Sequence, residues 1–236
     1  MQDDKEDSFI SHLEALRSML IKSLSALAVC LLPVFFITPY VMEILINVMV
    51  KNTDMSLNFF SPMEVFFIQI KIAVMLDILV CFPYMAKQLW IFILPALYEK
   101  ERCFLKSIIW VSSSLFIIGV FFCLFLILPL VIKFGMSFAS DHIQPVWGIG
   151  HIISLALWLS LIFGLMFQFP LITYALVRYD IISYEAMQSK RRYVLIGILI
   201  ISGVLTPPDI ISQLMLTLPT YALFEAGMFF AKKQKK

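Results

Sequence analysis

The sequence predicts an all-α integral membrane protein with six transmembrane helices and both termini on the cytosolic side. The 236-residue chain is 61% hydrophobic and only 14% charged, which leaves no segment polar enough for a soluble domain. Its apolar residues fall into six runs, most of them long enough to cross a bilayer, and its basic residues collect on alternate sides of these runs. We therefore expect a single membrane domain over residues 1–236.

The 18 Lys and Arg residues predict the orientation, because cytosolic loops of membrane proteins are enriched in these residues. Fifteen of them lie in alternate segments, 1–22, 87–106, 178–192 and 232–236. Two lie in the intervening segments 43–64, 133–151 and 206–209, and Lys71 lies inside the second run. The first set of segments is predicted to be cytosolic and the second set to face outwards.

The six runs are predicted to be helical, because backbone polar groups in lipid must form hydrogen bonds within their own segment. A hydrocarbon core of about 30 Å requires roughly 20 helical residues. The predicted spans are 23–42, 65–86, 107–132, 152–177, 193–205 and 210–231. The fifth gives only about 20 Å of helix, so the last two are expected to form a short hairpin around which the bilayer thins. Prolines inside the spans are expected to bend them, because each lacks a backbone N–H donor: Pro33, Pro129, Pro170 and Pro219.

The outer segments contain helix-start and turn signals. Segment 43–64 has room for a short interfacial helix and ends in Ser61-Pro62-Met63-Glu64, which is typical of a helix start. Segment 133–151 is rich in turn residues and contains Trp147, an aromatic residue suited to the lipid headgroup layer. In segment 206–209, two prolines are expected to end the fifth span and Asp209 to cap the sixth.

Nothing in the chain suggests an enzyme, a cofactor or a metal. The four cysteines form no Cys-x-x-Cys pair and are interpreted as small apolar fillers, and the three histidines are scattered. No metalloprotease, nucleophile-elbow or phosphate-binding motif is present. The net charge of +2 argues against a nucleic-acid partner.

Ionisable residues inside spans are costly and usually functional. Lys71 is predicted to extend toward the outer interface, and Asp77 lies on a different helical face from Lys71. Glu225 lies about two turns from Lys232 and could either extend toward the inner face or contact a partner helix. One alternative for the whole chain is therefore a proton-coupled secondary transporter that uses Asp77 and Glu225, although the two halves contain no convincing repeat.

Four motifs occur in order along this layout. They are His12-Leu-Glu-Ala-Leu-Arg17, Ser61-Pro-Met-Glu-Val-Phe66, the segment Gln88 to Arg102 with Gln-x-Trp-x-Phe-x-x-Pro-Ala-Leu-Tyr-x-x-Glu-Arg, and Thr206-Pro-Pro-Asp-x-x-Ser-Gln213. Through these motifs nearly the whole chain resembles TatC, the polytopic subunit of the twin-arginine protein translocase. The resemblance implies a concave, glove-like bundle of kinked helices in the cell inner membrane.

The resemblance also implies a function and its residues. Family members bind the signal peptides of folded precursor proteins on the cytosolic face and recruit single-span TatA- and TatB-like partners in a passage driven by the proton-motive force. Further expected partners are membrane lipid and, within the receptor complex, other copies of the chain. By resemblance, the signal-peptide site contains Glu101, Arg17, Glu14 and Phe92, although Phe92 is equally typical of an interfacial aromatic belt. Residues expected to serve translocase function or partner contact are Glu64, Gln168, Asp209, Gln213 and Glu225.

Two positions depart from the family pattern. The opening motif usually has its acid directly before Leu-Arg, where this chain has Ala15, and the carboxylate is one residue earlier at Glu14. One residue turns a helical side chain by about 100°. Gln168 stands where the family commonly has an acid in the fourth span, and an amide cannot ionise.

Overall fold

The computed structural model describes residues 3–53, 57–93, 102–137, 146–179, 182–205 and 210–234. Almost all of these residues are helical, as predicted. The helices are α1 Asp3–Phe35, α2 Thr38–Thr53, α3 Glu64–Ile93, α4 Arg102–Phe122, α5 Leu128–Met136, α6 Ile149–Met166, α7 Phe169–Arg178, α8 Tyr184–Ser189, α9 Arg191–Leu205 and α10 Ile210–Gln234. A π-helix, Cys123–Ile127, joins α4 to α5, and two short strands are present, β1 Leu57–Asn58 and β2 Trp147–Gly148.

Five helical stretches in the described residues are long and apolar enough to cross a membrane: Leu13–Phe35, Glu64–Phe92, Lys106–Met136, Ile149–Arg178 and Gln213–Lys232. They correspond to five of the six predicted spans. The predicted fifth span is α9, whose 15 residues give about 22 Å of helix. That length is shorter than a hydrocarbon core of about 30 Å, so a sixth crossing by α9 remains a prediction.

The first span is displaced from its predicted position. The prediction placed it at 23–42, but α1 ends at Phe35 and a new helix, α2, begins at Thr38. The break lies next to Pro39, which has no N–H to donate and whose ring clashes with the carbonyl four residues earlier. The prediction was wrong because the apolar run continues through the break. The helix expected within the outer segment 43–64 is present, but it begins earlier, as α2.

The described residues form two compact units. The first contains residues 1–47 and 61–114, and α1 packs along α3 within it. Cys81 Sγ lies 3.8 Å from the carbonyl oxygen of Ala26, and Cys30 and Asp77 meet one turn further along. These two contacts, in opposite chain order, show that α1 and α3 are antiparallel. Helix α3 begins at Glu64, as the Ser61-Pro62 signal predicts, and the Glu64 N–H donates to the Ser61 carbonyl at 3.1 Å.

The second unit contains residues 48–60 and 115–236. One apolar core joins the π-helix to α6 and α10, through buried residues that include Cys123, Phe163 and Leu216. A second core joins α7, α8, α9 and α10, through Val177, Met187, Ile198, Phe224, Met228 and Ala231. Helix α7 packs along α10 and α9 packs against α10. The last two helices therefore pack together, as expected of a hairpin.

Two of the four prolines coincide with irregular helix. Pro170 lies at the start of α7, directly after a turn at Phe167 and Gln168 that separates α7 from α6. Pro129 follows the π-helix, in which the Leu128 N–H donates to the Cys123 carbonyl five residues earlier. Wider turns of this kind are a common adjustment within bent helices. By contrast, α10 continues through Pro219.

The strands were not predicted. β1 and β2 pair in parallel, with Leu57 opposite Trp147 and Asn58 opposite Gly148. A Cβ atom on Gly148 would lie 2.7 Å from the Phe60 ring, so glycine allows this close approach. The pair brings the two predicted outer segments, 43–64 and 133–151, together within the second unit.

Candidate functional site

Three of the four predicted signal-peptide residues lie at one end of the first unit. Starting from the Ala26–Cys81 contact, eleven residues back along α1 and eleven forward along α3 lead to Ala15 and Phe92. Because the helices are antiparallel with the same rise per residue, this count places Glu14, Arg17 and Phe92 toward the same end of the α1–α3 pair. Glu14 and Arg17 are exposed and Phe92 is half-buried.

Trp90 at the same end of α3 is buried, with only 5% of its surface exposed. A side chain this buried does not belong to a lipid-facing aromatic belt at the interface.

Glu101, the fourth predicted residue, lies outside the described residues, and so does Asp209. Helix α4 begins at the next residue after Glu101 in the chain, Arg102. The prediction for both acids therefore rests on their motifs.

Glu64 lies at the opposite end of α3 from Phe92. The 30 residues of α3 correspond to about 45 Å, so Glu64 cannot share a ligand with Phe92. Glu64 is half-buried in the first turn of the helix, where a carboxylate interacts favourably with the helix dipole.

The remaining predicted residues lie in the second unit, at separate places. Gln168 is buried in the turn between α6 and α7, where its backbone carbonyl accepts from the Ile172 N–H at 2.9 Å. Gln213 belongs to α10, and its side-chain Nε2 donates to the Leu199 carbonyl on α9 at 3.0 Å. A Cβ on Gly203 would lie 2.9 Å from the same Nε2. Gln213 thus ties α9 to α10, and Gly203 leaves room for it.

Glu225 forms a polar cluster with two residues that the sequence analysis did not single out. Its Oε2 lies 3.3 Å from Arg191 at the start of α9, and its Oε1 accepts a hydrogen bond from the Tyr221 hydroxyl at 3.0 Å. Both charged side chains are about one-third exposed, 37% for Arg191 and 32% for Glu225. Glu225 therefore pairs inside its own unit rather than extending freely toward Lys232.

Asp77, the other acid within a predicted span, is buried in α3 with 4% of its surface exposed. It accepts a hydrogen bond from Cys81, and Cys30 of α1 lies beside both. Asp77 and Glu225 are thus each held in a different polar cluster. Neither cluster gives specific support to the proton-coupled transporter alternative.

Comparison with known proteins identifies the family. The profile described as "Sec-independent protein translocase protein (TatC)" matches residues 11–219. The chain belongs to the TatC family. Relatives include TatC of Carboxydothermus hydrogenoformans, 35% identical over 98% of this chain and 95% of the relative, and TatC of Escherichia coli K12, 32% identical over 98% and 91%.

Solved structures agree with this assignment. A crystal structure of the twin-arginine translocase receptor TatC is 31% identical and superposes with a TM-score of 0.84, covering 95% of this chain and 100% of the other. This TatC-family chain is accordingly a multi-pass membrane protein and a subunit of a Sec-independent protein translocase, a transport component rather than an enzyme. The family prediction from the motifs is confirmed.

Sequence reasoning missed the partners of the two acids within the predicted spans, Asp77 and Glu225. The spacings Asp77–Cys81 and Tyr221–Glu225 are both four residues, which places each pair on one helical face, and this signal was available. Cys30 is far in sequence from Asp77, and Arg191 is far in sequence from Glu225. In each case, only the packing of one helix on another brings the two residues together. No pattern within a single span could have indicated them.

Proposed function

We propose that this TatC-family chain is the receptor for twin-arginine signal peptides and the core subunit of a translocase that exports folded proteins, driven by the proton-motive force. The observation that supports it most is the location of Glu14, Arg17 and Phe92 at one end of the antiparallel α1–α3 pair. The segment that carries Glu101 follows α3 directly in the chain. The related protein of known structure is itself named a twin-arginine translocase receptor.

Carboxylates at this end of the α1–α3 pair suit a peptide ligand that contains two arginines. A guanidinium group presents a planar fork that a carboxylate can engage with two parallel hydrogen bonds, whereas a lysine ammonium is a point charge. Near the headgroup layer, where less water screens the charges, such a pair should contribute more than the roughly 0–1 kcal/mol of an exposed ion pair. We assign the principal contact to Glu101 and supporting contacts to Glu14. Phe92 provides apolar surface for the stretch that follows the two arginines.

A peptide-binding measurement tests this function. The purified chain should bind a peptide with Arg-Arg ahead of an apolar stretch, and Glu101→Ala should weaken binding by at least about 1–3 kcal/mol, the range for removing a charged hydrogen-bond partner. Glu99→Ala, which changes a neighbouring acid at a variable position of the motif, is the matched control. Equal binding of the Arg-Arg peptide and a Lys-Lys peptide would refute recognition through the guanidinium groups.

Recruitment of single-span TatA- and TatB-like proteins is the second part of the proposal. Helix α9 has an apolar stripe with large exposed fractions at Tyr193 (73%), Ile196 (54%), Ile200 (61%) and Val204 (80%). Gly197 lies beside this stripe with no atom within 4 Å of its would-be Cβ. Small residues beside apolar ones let membrane helices approach closely, so the stripe suits a partner helix.

Site-specific crosslinking tests the α9 surface. A photoreactive residue at Ile200 should crosslink to a single-span partner in native membranes, and the same residue at Ile198, which is only 2% exposed, should not. Crosslinks to lipid alone from both positions would show that the stripe is simply lipid-facing.

The remaining assignments concern transport itself. We assign Gln213 and Glu225 to holding the α9–α10 pair in the form that partners recognise, and Gln168 to a polar position in the fourth span. Glu64 and Asp209 are assigned to the outer side, at helix starts. The complex is proposed to lie in the cell inner membrane, with both termini cytosolic and more than one copy of this chain.

A further inference from the structure

We propose that Cys30, Asp77 and Cys81 form a binding site for a thiophilic divalent metal ion, such as Zn²⁺, between α1 and α3. The two thiol sulfurs and a carboxylate oxygen all lie within 4.8 Å of one another. Cys81 and Asp77 are each 4% exposed, and Cys30 is half-buried. All three side chains belong to the first compact unit.

The spacing of the donor atoms is close to that of a metal site. Zinc bonds to sulfur at about 2.3 Å and to carboxylate oxygen at about 2.0 Å, so a tetrahedral site separates its sulfur and oxygen ligands by about 3.5 Å. Cys81 Sγ and Asp77 Oδ1 are 3.5 Å apart. Two sulfur ligands would be about 3.8 Å apart, and the Cys30 sulfur already lies within 4.8 Å of both other donor atoms.

The chemistry of the three groups favours a thiophilic ion. Thiolates select zinc and other soft or borderline metals, whereas calcium and magnesium require several oxygen ligands. Exchanging two thiol protons for one divalent cation leaves the net charge of the three groups unchanged, so metal binding adds no charge to the interior of the membrane protein. The site also accounts for Asp77, a carboxylate that is otherwise expensive within a span.

Metal binding at this site must release protons from the two thiols. The Cys81 thiol donates a hydrogen bond to Asp77, but the Asp77 carboxylate oxygen itself binds the metal, so the protons of both thiols pass to the solvent. Binding of one M²⁺ by two thiols releases two protons, and affinity therefore falls as the pH is lowered. Three protein ligands leave a fourth position open for water or another small ligand, so the bound ion should be exchangeable.

A simple disulfide between Cys30 and Cys81 is a weaker interpretation of this cluster. A disulfide would leave Asp77 without a role and would require an external two-electron oxidant. The Asp77 carboxylate lies close to both sulfurs, and a metal site explains this arrangement better than a disulfide does. Because the site ties α1 to α3, a bound ion should also stabilise the helix pair, independently of signal-peptide binding.

Cadmium binding to the full-length protein in detergent tests this proposal, because Cd²⁺ bonded to thiolates absorbs in the ultraviolet. We expect one Cd²⁺ per chain, displaced by Zn²⁺ in competition. Cys30→Ser and Cys81→Ser should each lower the affinity at least about tenfold, and Asp77→Asn should lower it while the thiolate absorption is retained. Cys123→Ser, a buried cysteine in the π-helix, is the matched control and should leave binding unchanged. Cys103 is present in every variant, so any Cd²⁺ that it binds contributes equally to all the absorption measurements.

Two results would overturn the proposal. One is absorption by the wild type no greater than that of a Cys30→Ser, Cys81→Ser double variant. The other is a Cys30–Cys81 disulfide in freshly isolated protein that binds no Cd²⁺ after reduction. If the serine variants do not fold, alkylation of the wild type by N-ethylmaleimide replaces them. Cd²⁺ should then protect Cys30 and Cys81, and unchanged alkylation at both sites would also refute a metal site.

Discussion

At the scale of single residues, each of the two acids within the predicted spans lies beside a residue of another helix. Glu225 on α10 meets Arg191 on α9, and Asp77 on α3 lies beside Cys30 on α1. An unpaired charge in a membrane interior is costly, so each pairing allows its acid to be retained. The sequence could indicate that Asp77 and Glu225 were unusual, but their partners depend on which faces of distant helices come together.

The Arg191–Glu225 pair gives the first prediction. The side chains are one-third exposed, so we expect a coupling energy of about 0.5–1 kcal/mol, near the upper end for partly exposed pairs. The measurement is a double-mutant cycle with Arg191→Gln and Glu225→Gln, in which the free energy of unfolding is determined in detergent. Tyr221→Phe tests the hydroxyl bond separately. Strictly additive effects of the two charge changes would show that the pair does not stabilise the α9–α10 packing.

The displaced acid at the start of α1 gives the second prediction. Ala15 stands where the family usually has its acid, and Glu14 is about 100° away around the helix. If the ligand lies on the face of residue 15, the double change Glu14→Ala, Ala15→Glu should maintain or improve export of a twin-arginine precursor. The single change Glu14→Ala is the control. Loss of export in both the single and the double variant would show that Glu14 acts from its present position.

At the scale of helices, small residues determine how closely α7 and α10 approach. A Cβ added to Gly227 would lie 2.7 Å from Pro170 Cα and 2.8 Å from the Pro170 carbonyl oxygen. Both are backbone atoms, which cannot move aside as the end of a side chain can. The packing of the fourth span on the sixth therefore requires glycine at this position.

Alanine substitution at two glycines gives the third prediction. Gly227→Ala should lower the free energy of unfolding by about 1–3 kcal/mol, the usual cost of overpacking. Gly197→Ala, in the open part of α9, should be neutral or stabilise by up to about 1 kcal/mol through helix propensity. Thermal unfolding of both variants in the same detergent compares them. Equal effects at the two positions would contradict the close approach of α7 and α10.

Helix existence was predictable from the sequence, whereas helix ends were predictable only where a local signal was strong. Ser61-Pro62 marked the start of α3 correctly. The break before α2 was missed because hydropathy does not change at Pro39, and only the proline itself indicated it. The β1–β2 pair was missed because two-residue strands leave no periodic pattern, and its register depends on contacts between distant segments.

At the scale of the whole molecule, the number of crossings determines where the C-terminus lies. If α9 crosses the membrane, the chain has six spans and both ends lie on the same side. If it does not, the five remaining spans place the ends on opposite sides, and the four lysines of residues 232–236 would face outwards against the positive-inside rule. The charge pattern thus favours six crossings even though α9 is short.

Tag accessibility gives the fourth prediction. Tags at both termini should be protected in intact cells and accessible only after the inner membrane is opened, while a cysteine at position 207 should react with an impermeant reagent from outside. An exposed C-terminal tag together with a protected position 207 would show that α9 does not cross.

We propose above all that the cytosolic side of this protein binds twin-arginine signal peptides. The most direct measurement is photocrosslinking from positions 101 and 92 to a twin-arginine precursor in native membranes. We predict crosslinks to the signal peptide from both positions, lost when the two arginines are changed to lysines. Crosslinks that persist with the lysine precursor, or none from either position, would contradict the claim.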